Sequence, residues 1–267
     1  MKATLRVTYE DWEKWYLKIV KDFNFSAEKD REATEKLASL LEGRDVESAL
    51  NMLASALSNR CVIVYGCGPS LERNIREIKR VGLEKVCLNV AADGATTALL
   101  NEGILPDLIV TDLDGRLKDI LYASSKGSVV AVHAHGDNIH LLENVKDFEG
   151  PVIGTTQVKP IGCVRNFFGF TDGDRAAFIS EAMGSHTILL AGFDFGDKVS
   201  RFSKPEYKTD ICASPLKRKK LKYAKLLLEW LAQNTDALLI NITGSGEIIK
   251  GVKNLKWIYK PVKQSLF

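Results

Sequence analysis

Three aspartates, Asp93, Asp112 and Asp114, fall in one stretch, residues 86–115, VCLNVAADGATTALLNEGILPDLIVTDLDG. Apolar runs at Val86–Val90 and Leu108–Val110 flank a helical segment from Ala95 to Glu102, and each acidic turn, Asp93-Gly94 and Asp112-x-Asp114-Gly115, follows one of the runs. Both turns are therefore expected to open on one edge of a parallel sheet. Carboxylates gathered outside the carboxyl ends of such strands ask for a cation or a proton-transfer role. Mg²⁺ takes hard oxygen ligands and is usually held by one or two carboxylates together with substrate phosphates, so it is the expected metal. The structural alternative is that Asp93 and Asp114 cap helices or tolerate tight turns beside glycine.

Other strand ends supply further candidates. His133-Ala134-His135-Gly136-Asp137-Asn138 follows the apolar run Ser128–Val132, which makes Asp137 a possible fourth ligand or base, or a helix cap before Ile139. The two histidines lack a third His or Cys in reach, which argues against zinc. Gly66-Cys67-Gly68-Pro69-Ser70 joins the run at Cys61 to a helix; Gly66, Gly68, Pro69 and Ser70 are phosphate-binding candidates, with Ser70 as a cap. The turn lacks the third glycine of the dinucleotide fingerprint and has no P-loop lysine. Gly94 extends the Asp93 turn. Thr171 and Asp172 precede a helix and read either as its cap or as polar contacts to a nucleotide; Asp194 ends the run Thr187–Ala191. Residues 201–214 read as a loop, and Ser214-Pro215 opens a helix rich in lysine, from Lys217 to Lys225. That lysine face is either solvated or closes on a polyphosphate.

The elements that must hold these groups divide at Arg60. Residues 1–58 read as helical, with Trp12, Trp15, Tyr16, Ile19 and Phe23 at helical spacing as packing residues, followed by helices after Ser26 and Asp45. Residues 59–267 read as an α/β domain whose strand inventory closes with Leu238–Ile242 and Lys256–Tyr259. The expected fold is α/β, a three-layer sandwich with a mainly parallel Rossmann-like sheet and a helical N-terminal region.

Composition narrows the class. With 267 residues, 45% hydrophobic and 27% charged, the chain can bury a full core. Its formal net charge of +3 is too small to argue for nucleic acid. No apolar run suggests a membrane span and the first residues lack a signal-peptide core, so the protein reads as cytoplasmic. Five scattered cysteines without a CxxC pair argue against a disulfide framework or a zinc ribbon, and Cys61 and Cys87 read as core residues.

Ala91-Ala92-Asp93-Gly94-Ala95, Gly103 to Val110, and Asp112-Leu113-Asp114-Gly115 resemble segments of thiamine pyrophosphokinases, as does Thr171-Asp172 with Arg175-Ala176-Ala177. Ala95 and Gly115 depart from that family, and HAHGDN has no counterpart in it. Taken with GCGPSL, HAHGDN and GFTDGDRA, the set more closely resembles the archaeal 6-hydroxymethyl-7,8-dihydropterin pyrophosphokinases, over residues 60–251. The resemblance implies Mg²⁺-dependent transfer of diphosphate from ATP to a reduced pterin in the biosynthesis of a pterin cofactor of the tetrahydromethanopterin or folate type. It implies a metal on Asp112 and Asp114, completed by Asp93 or Asp137, one of which takes the hydroxyl proton. Phosphate would lie on Gly66–Ser70, with nucleotide or pterin against Thr171, Asp172 and Asp194, and the thiamine enzymes' likeness implies a homodimer. The rival readings are a thiamine pyrophosphokinase, a sugar-nucleotide-dependent glycosyltransferase-like protein and a non-catalytic nucleotide-binding module.

Overall fold

The computed structural model describes residues 5–255. Three helices come first: α1 (Tyr9–Phe23), α2 (Ala27–Leu40) and α3 (Val46–Leu57). Each starts where the sequence offers a cap. Thr8 and Asp11 form a capping box, and the side chains of Ser26 and Asp45 accept from the N–H groups of Lys29 and Ser48. Trp12, Tyr16, Ile19, Leu37 and Leu53 share one buried cluster with the sheet residues. Polar ties reinforce that packing: the Trp12 indole N–H donates to the carbonyl of Gln157, and the hydroxyls of Thr34 and Thr156 lie 2.7 Å apart. The tryptophans are packing residues, as their spacing predicts; Trp12 stacks on Phe168, and Trp15 lies against Trp230.

From Cys61 the chain alternates strand and helix. The strands are β1 (Cys61–Tyr65), β2 (Leu88–Ala92), β3 (Leu108–Thr111), β4 (Val129–Ala134), β5 (Val152–Thr156) and β6 (Thr187–Ala191). A short ribbon of β7 (Lys198–Val199) and β8 (Ile211–Cys212) follows, then β9 (Leu238–Asn241) and β10 (Lys253–Asn254). Eight strands form one sheet in the order β10-β9-β6-β1-β2-β3-β4-β5, every neighbouring pair parallel. The near-continuous apolar runs suit strands covered on both faces.

Right-handed crossovers assign the faces. The helices α4 (Leu71–Val81), α5 (Ala95–Asn101) and α6 (Leu117–Ser125) carry the chain stepwise from β1 to β4 and so share one face. Next, α7 (Asp172–Ala182) returns it from β5 to β6 on the far side of β1, and α8 (Pro215–Asn234) continues to β9, so both cover the opposite face. There α7 packs on β1, β2, β3 and β6, and α8 packs on α7. The result is the expected three-layer α/β sandwich, and its strand order reverses between β1 and β6.

Several details depart from the sequence reading. Cys61 and Cys87 are joined by a disulfide. The register Val62↔Leu88 sets these residues opposite each other at the entrances of adjacent strands, with Cα atoms 4.8 Å apart, a pairing that spacing along the chain does not reveal. The helix expected from Ile139 is a 3₁₀ segment at Leu142–Asp147, α6 is an additional helix, and the loop after Asp194 contains the β7–β8 ribbon. The strand expected at Lys256–Tyr259 lies outside the described residues.

Candidate active site

The carboxyl ends of β1 to β6 open on one cleft, a cavity of about 470 Å³. At its centre Asp93, Asp112 and Asp114 each offer a carboxylate oxygen, and these atoms lie within 4.8 Å of one another. The backbone is bent to achieve this: Asp93 has φ 42° and Leu113, between the other two, has φ 68°. Non-glycine residues are uncommon in that left-handed region, and such strain gathers at functional sites. Leu113 is buried, so the turn anchors its apolar side chain while both flanking carboxylates line the cleft. A Cβ at residue 115 would sit 2.5 Å from an Asp93 oxygen, which explains why glycine follows Asp114.

The carboxylates are unequal. Burial, then the charges of Asp112 and Asp114, push Asp93 up to about 7, although the Thr111 hydroxyl donates to it at 2.6 Å. Burial also opposes charge on Asp112, but the His135 side chain, 3.4 Å away, and the Lys204 ammonium outweigh it and hold this carboxyl below its usual range. Asp114 is raised by burial and by Asp112 despite its ion pair with Lys204. Asp172, the first residue of α7, is raised well above the usual range by burial and then by the charges of Asp112, Asp93 and Asp114. Like charges crowded in this way repel one another, and a cation placed among the three carboxylates would relieve that repulsion. An all-oxygen donor set of this size suits Mg²⁺ better than zinc. His133, buried and bonded to the Thr155 hydroxyl, is depressed well below its ordinary value by burial and by Arg175 and His135, so it stays neutral.

The other predicted residues separate into two groups. Gly66, Gly68, Thr171, Asp172, Asp194 and Asp137 line the cleft; Pro69, Ser70 and Gly94 are set behind its surface. The N–H groups of Gly66 and Gly68 donate to the carbonyls of Ala191 and Gly192, and the Ser70 N–H donates to Asp194. Pro69 has no N–H. Those groups therefore do not form the backbone phosphate cradle expected from the glycine-rich turn. Ser70 does not cap α4 with its side chain; its hydroxyl donates to Asp194 at 2.7 Å, with the Asn74 amide oxygen 3.1 Å away. Gly94 allows close approach of the carbonyl of Phe202, 1.8 Å from where a Cβ would lie. Thr171 caps α7 in a box with Asp174, leaving Asp172 turned to the cleft. Asp137 is exposed and stands outside the cluster of three carboxylates.

Two contributions went unread in the sequence, Lys204 and the connection between α1 and α2. Lys204 sits on the segment between β7 and β8, which is tied down by Ser200 N–H to the carbonyl of Cys67 and by Arg201 to Glu72. Lys217 and Lys220, part of the α8 lysine face read in the sequence as solvated or closing on a polyphosphate, line the same cleft. The connection between α1 and α2 also brings Asn24, Phe25, Lys29 and Asp30 to the cleft, with the Lys220 ammonium 5.5 Å from the Phe25 ring centroid. Asp30 is buried and accepts from the Tyr16 hydroxyl, the Gln157 amide and the N–H of Gly136, which fixes this connection to the ends of β4 and β5. A lone lysine in a loop gives no periodic signal of such convergence.

A parallel sheet with reversed strand order and a cluster of three aspartates at its strand ends define the class as an α/β protein with a carboxylate site able to hold a metal ion. The chain belongs to the 6-hydroxymethylpterin diphosphokinase MptE-like family, whose model matches residues 31–200. It is similar to proteins named 6-hydroxymethyl-7,8-dihydropterin pyrophosphokinase in two archaea. The one from Pyrococcus furiosus is 46% identical over 88% of this chain and 99% of the relative. The one from Methanothermobacter thermautotrophicus is 45% identical over 84% of this chain and 95% of the relative. Among solved structures, a MAf glycosyltransferase from Magnetospirillum magneticum AMB-1 superposes with a TM-score of 0.51 at 16% identity, covering 79% of this chain and 38% of that one. That likeness concerns the fold alone.

Proposed function

We propose that this chain transfers the β,γ-diphosphoryl group of ATP to the hydroxymethyl oxygen of 6-hydroxymethyl-7,8-dihydropterin, releasing AMP. The product would feed assembly of a tetrahydromethanopterin- or folate-type cofactor in the cytoplasm. No helix among the described residues is long and apolar enough to cross a membrane. The observation that carries the reading is the meeting of Asp93, Asp112 and Asp114 with Lys204 at one cleft, in a chain of this family.

In this reaction the acceptor oxygen bonds to the β-phosphorus while the bond from that phosphorus to the α,β-bridging oxygen breaks, and AMP departs with the bridging oxygen. Asp112, Asp114 and Asp93 would hold Mg²⁺, which when bound neutralises phosphate charge. Lys204, ion-paired to Asp114, and Lys217 and Lys220, which line the same cleft, would neutralise the non-bridging oxygens and the leaving phosphate. The hydroxyl proton passes to a cleft carboxylate. Asp137, which lines the cleft and stands outside the cluster of three, would accept it without surrendering a metal ligand.

The test is AMP release from ATP and Mg²⁺ with the dihydropterin, beside thiamine and no-acceptor controls. AMP formed only with the pterin is expected. AMP formed only with thiamine would keep the metal chemistry and discard the acceptor. Nucleotide binding without turnover on either would discard the transferase reading.

A further inference from the structure

The cleft has two ends, and the strand order says which substrate each receives. At one end are the residues after β1 and β6, Gly66 to Gly68 and Phe193 to Phe195, at the point where the strand order reverses. Such a switch point is where open α/β sheets seat a nucleotide. The carboxylates that follow β2 and β3 occupy the middle. At the other end are His133, His135 and Gln157 from β4 and β5, walled by Phe25, Lys29 and Asp30 from the α1–α2 connection. With neighbouring strands about 4.8 Å apart, β1 and β5 are separated by about 19 Å, so one ligand group at each end leaves the reacting phosphates over the carboxylates. In-line displacement puts the attacking oxygen and the departing AMP on opposite sides of the β-phosphorus. A nucleotide at the β1–β6 end therefore requires the acceptor at the β4–β5 end.

The chemistry of that end suits a flat ring with an amino-oxo edge. Phe25 and Phe170 give it an aromatic wall, their ring centroids 6.3 Å apart, with Phe23 stacked on Phe25 and the Lys220 ammonium 5.5 Å from the Phe25 centroid. Asp30, with its carboxylate already accepting three hydrogen bonds, retains an acceptor site beside the Gln157 amide, and both side chains are buried. Resting on the pterin reading above, we infer that the α1–α2 connection is the acceptor-recognition element, with Phe25 packing on the pterin ring and Asp30 and Gln157 facing its polar edge. The helical N-terminal region would thus set which hydroxymethyl compound the α/β body can use.

The experiment is steady-state kinetics of AMP release with each substrate varied in turn, on the whole chain carrying Phe25→Ala, Phe25→Leu or Phe195→Ala. Phe25→Ala should raise KM for the dihydropterin about five- to tenfold and leave KM for ATP unchanged, as expected for loss of one aromatic contact. Phe25→Leu should recover part of that loss, which also guards against a folding defect, and Phe195→Ala should move KM for ATP alone. A Phe25→Ala enzyme of normal melting temperature whose pterin KM stays put, or whose ATP KM rises instead, overturns the placement while leaving the reaction intact. A wild-type enzyme that makes no AMP with the pterin overturns the reaction itself, and the placement with it.

Discussion

Two turns on the same sheet edge treat their carboxylates in opposite ways. At the β1–β6 end, Asp194 accepts from the Ser70 N–H, the Ser70 hydroxyl and the Ser245 hydroxyl, and the glycine N–H groups beside it are bonded to backbone carbonyls. That network is closed on itself. At β2 and β3, the carboxylates of Asp93, Asp112 and Asp114 face one another, and their partners, the Lys204 ammonium and the His135 ring, arrive from distant parts of the chain. A buried polar group satisfied by its neighbours holds the backbone in place. A buried group kept beside like charge destabilises the fold unless a ligand relieves it, and that imbalance marks the working part of the cleft.

The sharpest way to break this contrast is Asp112→Asn. It removes the carboxylate held most firmly in its charged form while preserving size, so kcat for AMP release should fall by roughly a thousandfold with the melting temperature unchanged. Retained activity would take the metal role away from this residue. Lys204→Met should cost less, roughly ten- to a hundredfold in kcat/KM for ATP, the worth of one charged hydrogen bond, and Lys204→Arg should restore part of it. Equal loss in the methionine and arginine variants, with no change in ATP dependence, would reduce Lys204 to a partner of Asp114. In the closed network the direction reverses: Asp194→Ala should lower stability by about 2 kcal/mol, because two donors on Ser70 lose their acceptor, yet change kcat only a few-fold in the folded protein. An unaltered melting temperature with lost ATP binding would move Asp194 from scaffold to ligand contact.

The difference between the two turns also explains what could be read without a structure. Apolar runs ending in Asp or Gly are local features, so β2, β3 and β6, the acidic turns and the three capped N-terminal helices are legible in the sequence. The partners of those turns are not. Ser70 reads as a helix cap from its position before Leu71, and only the fold brings Asp194 close enough to claim its hydroxyl. Lys204 reads as one charge in a polar loop, and its role depends on a ribbon of two-residue strands too short to give a periodic signal. The Cys61–Cys87 pair depends on strand register, and the contribution of Phe25 and Asp30 depends on how α1 and α2 dock against β4 and β5. Contacts between segments far apart in sequence leave no spacing to read.

The smallest effect tests the same imbalance through its proton. Asp93 carries a folded-state pKa raised to about 7, so its carboxyl binds a proton more tightly in the native chain than in the unfolded one. The stabilisation from that proton is complete below the ordinary carboxylate range and is lost as pH rises towards about 7. A metal needs the charged form, so below about pH 7 binding must expel the proton, and apparent Mg²⁺ affinity should rise up to tenfold per pH unit before levelling off above it. Melting curves with and without Mg²⁺ from about pH 5.5 to 8.5 would show this as a Mg²⁺-induced shift of a few degrees that widens with pH. In Asp93→Asn the shift should shrink and lose its pH dependence. A shift equally large at both ends of the range in the wild type would mean that Asp93 is already ionised before metal arrives, and that Lys204 neutralises the cluster more completely than its ion pair with Asp114 implies.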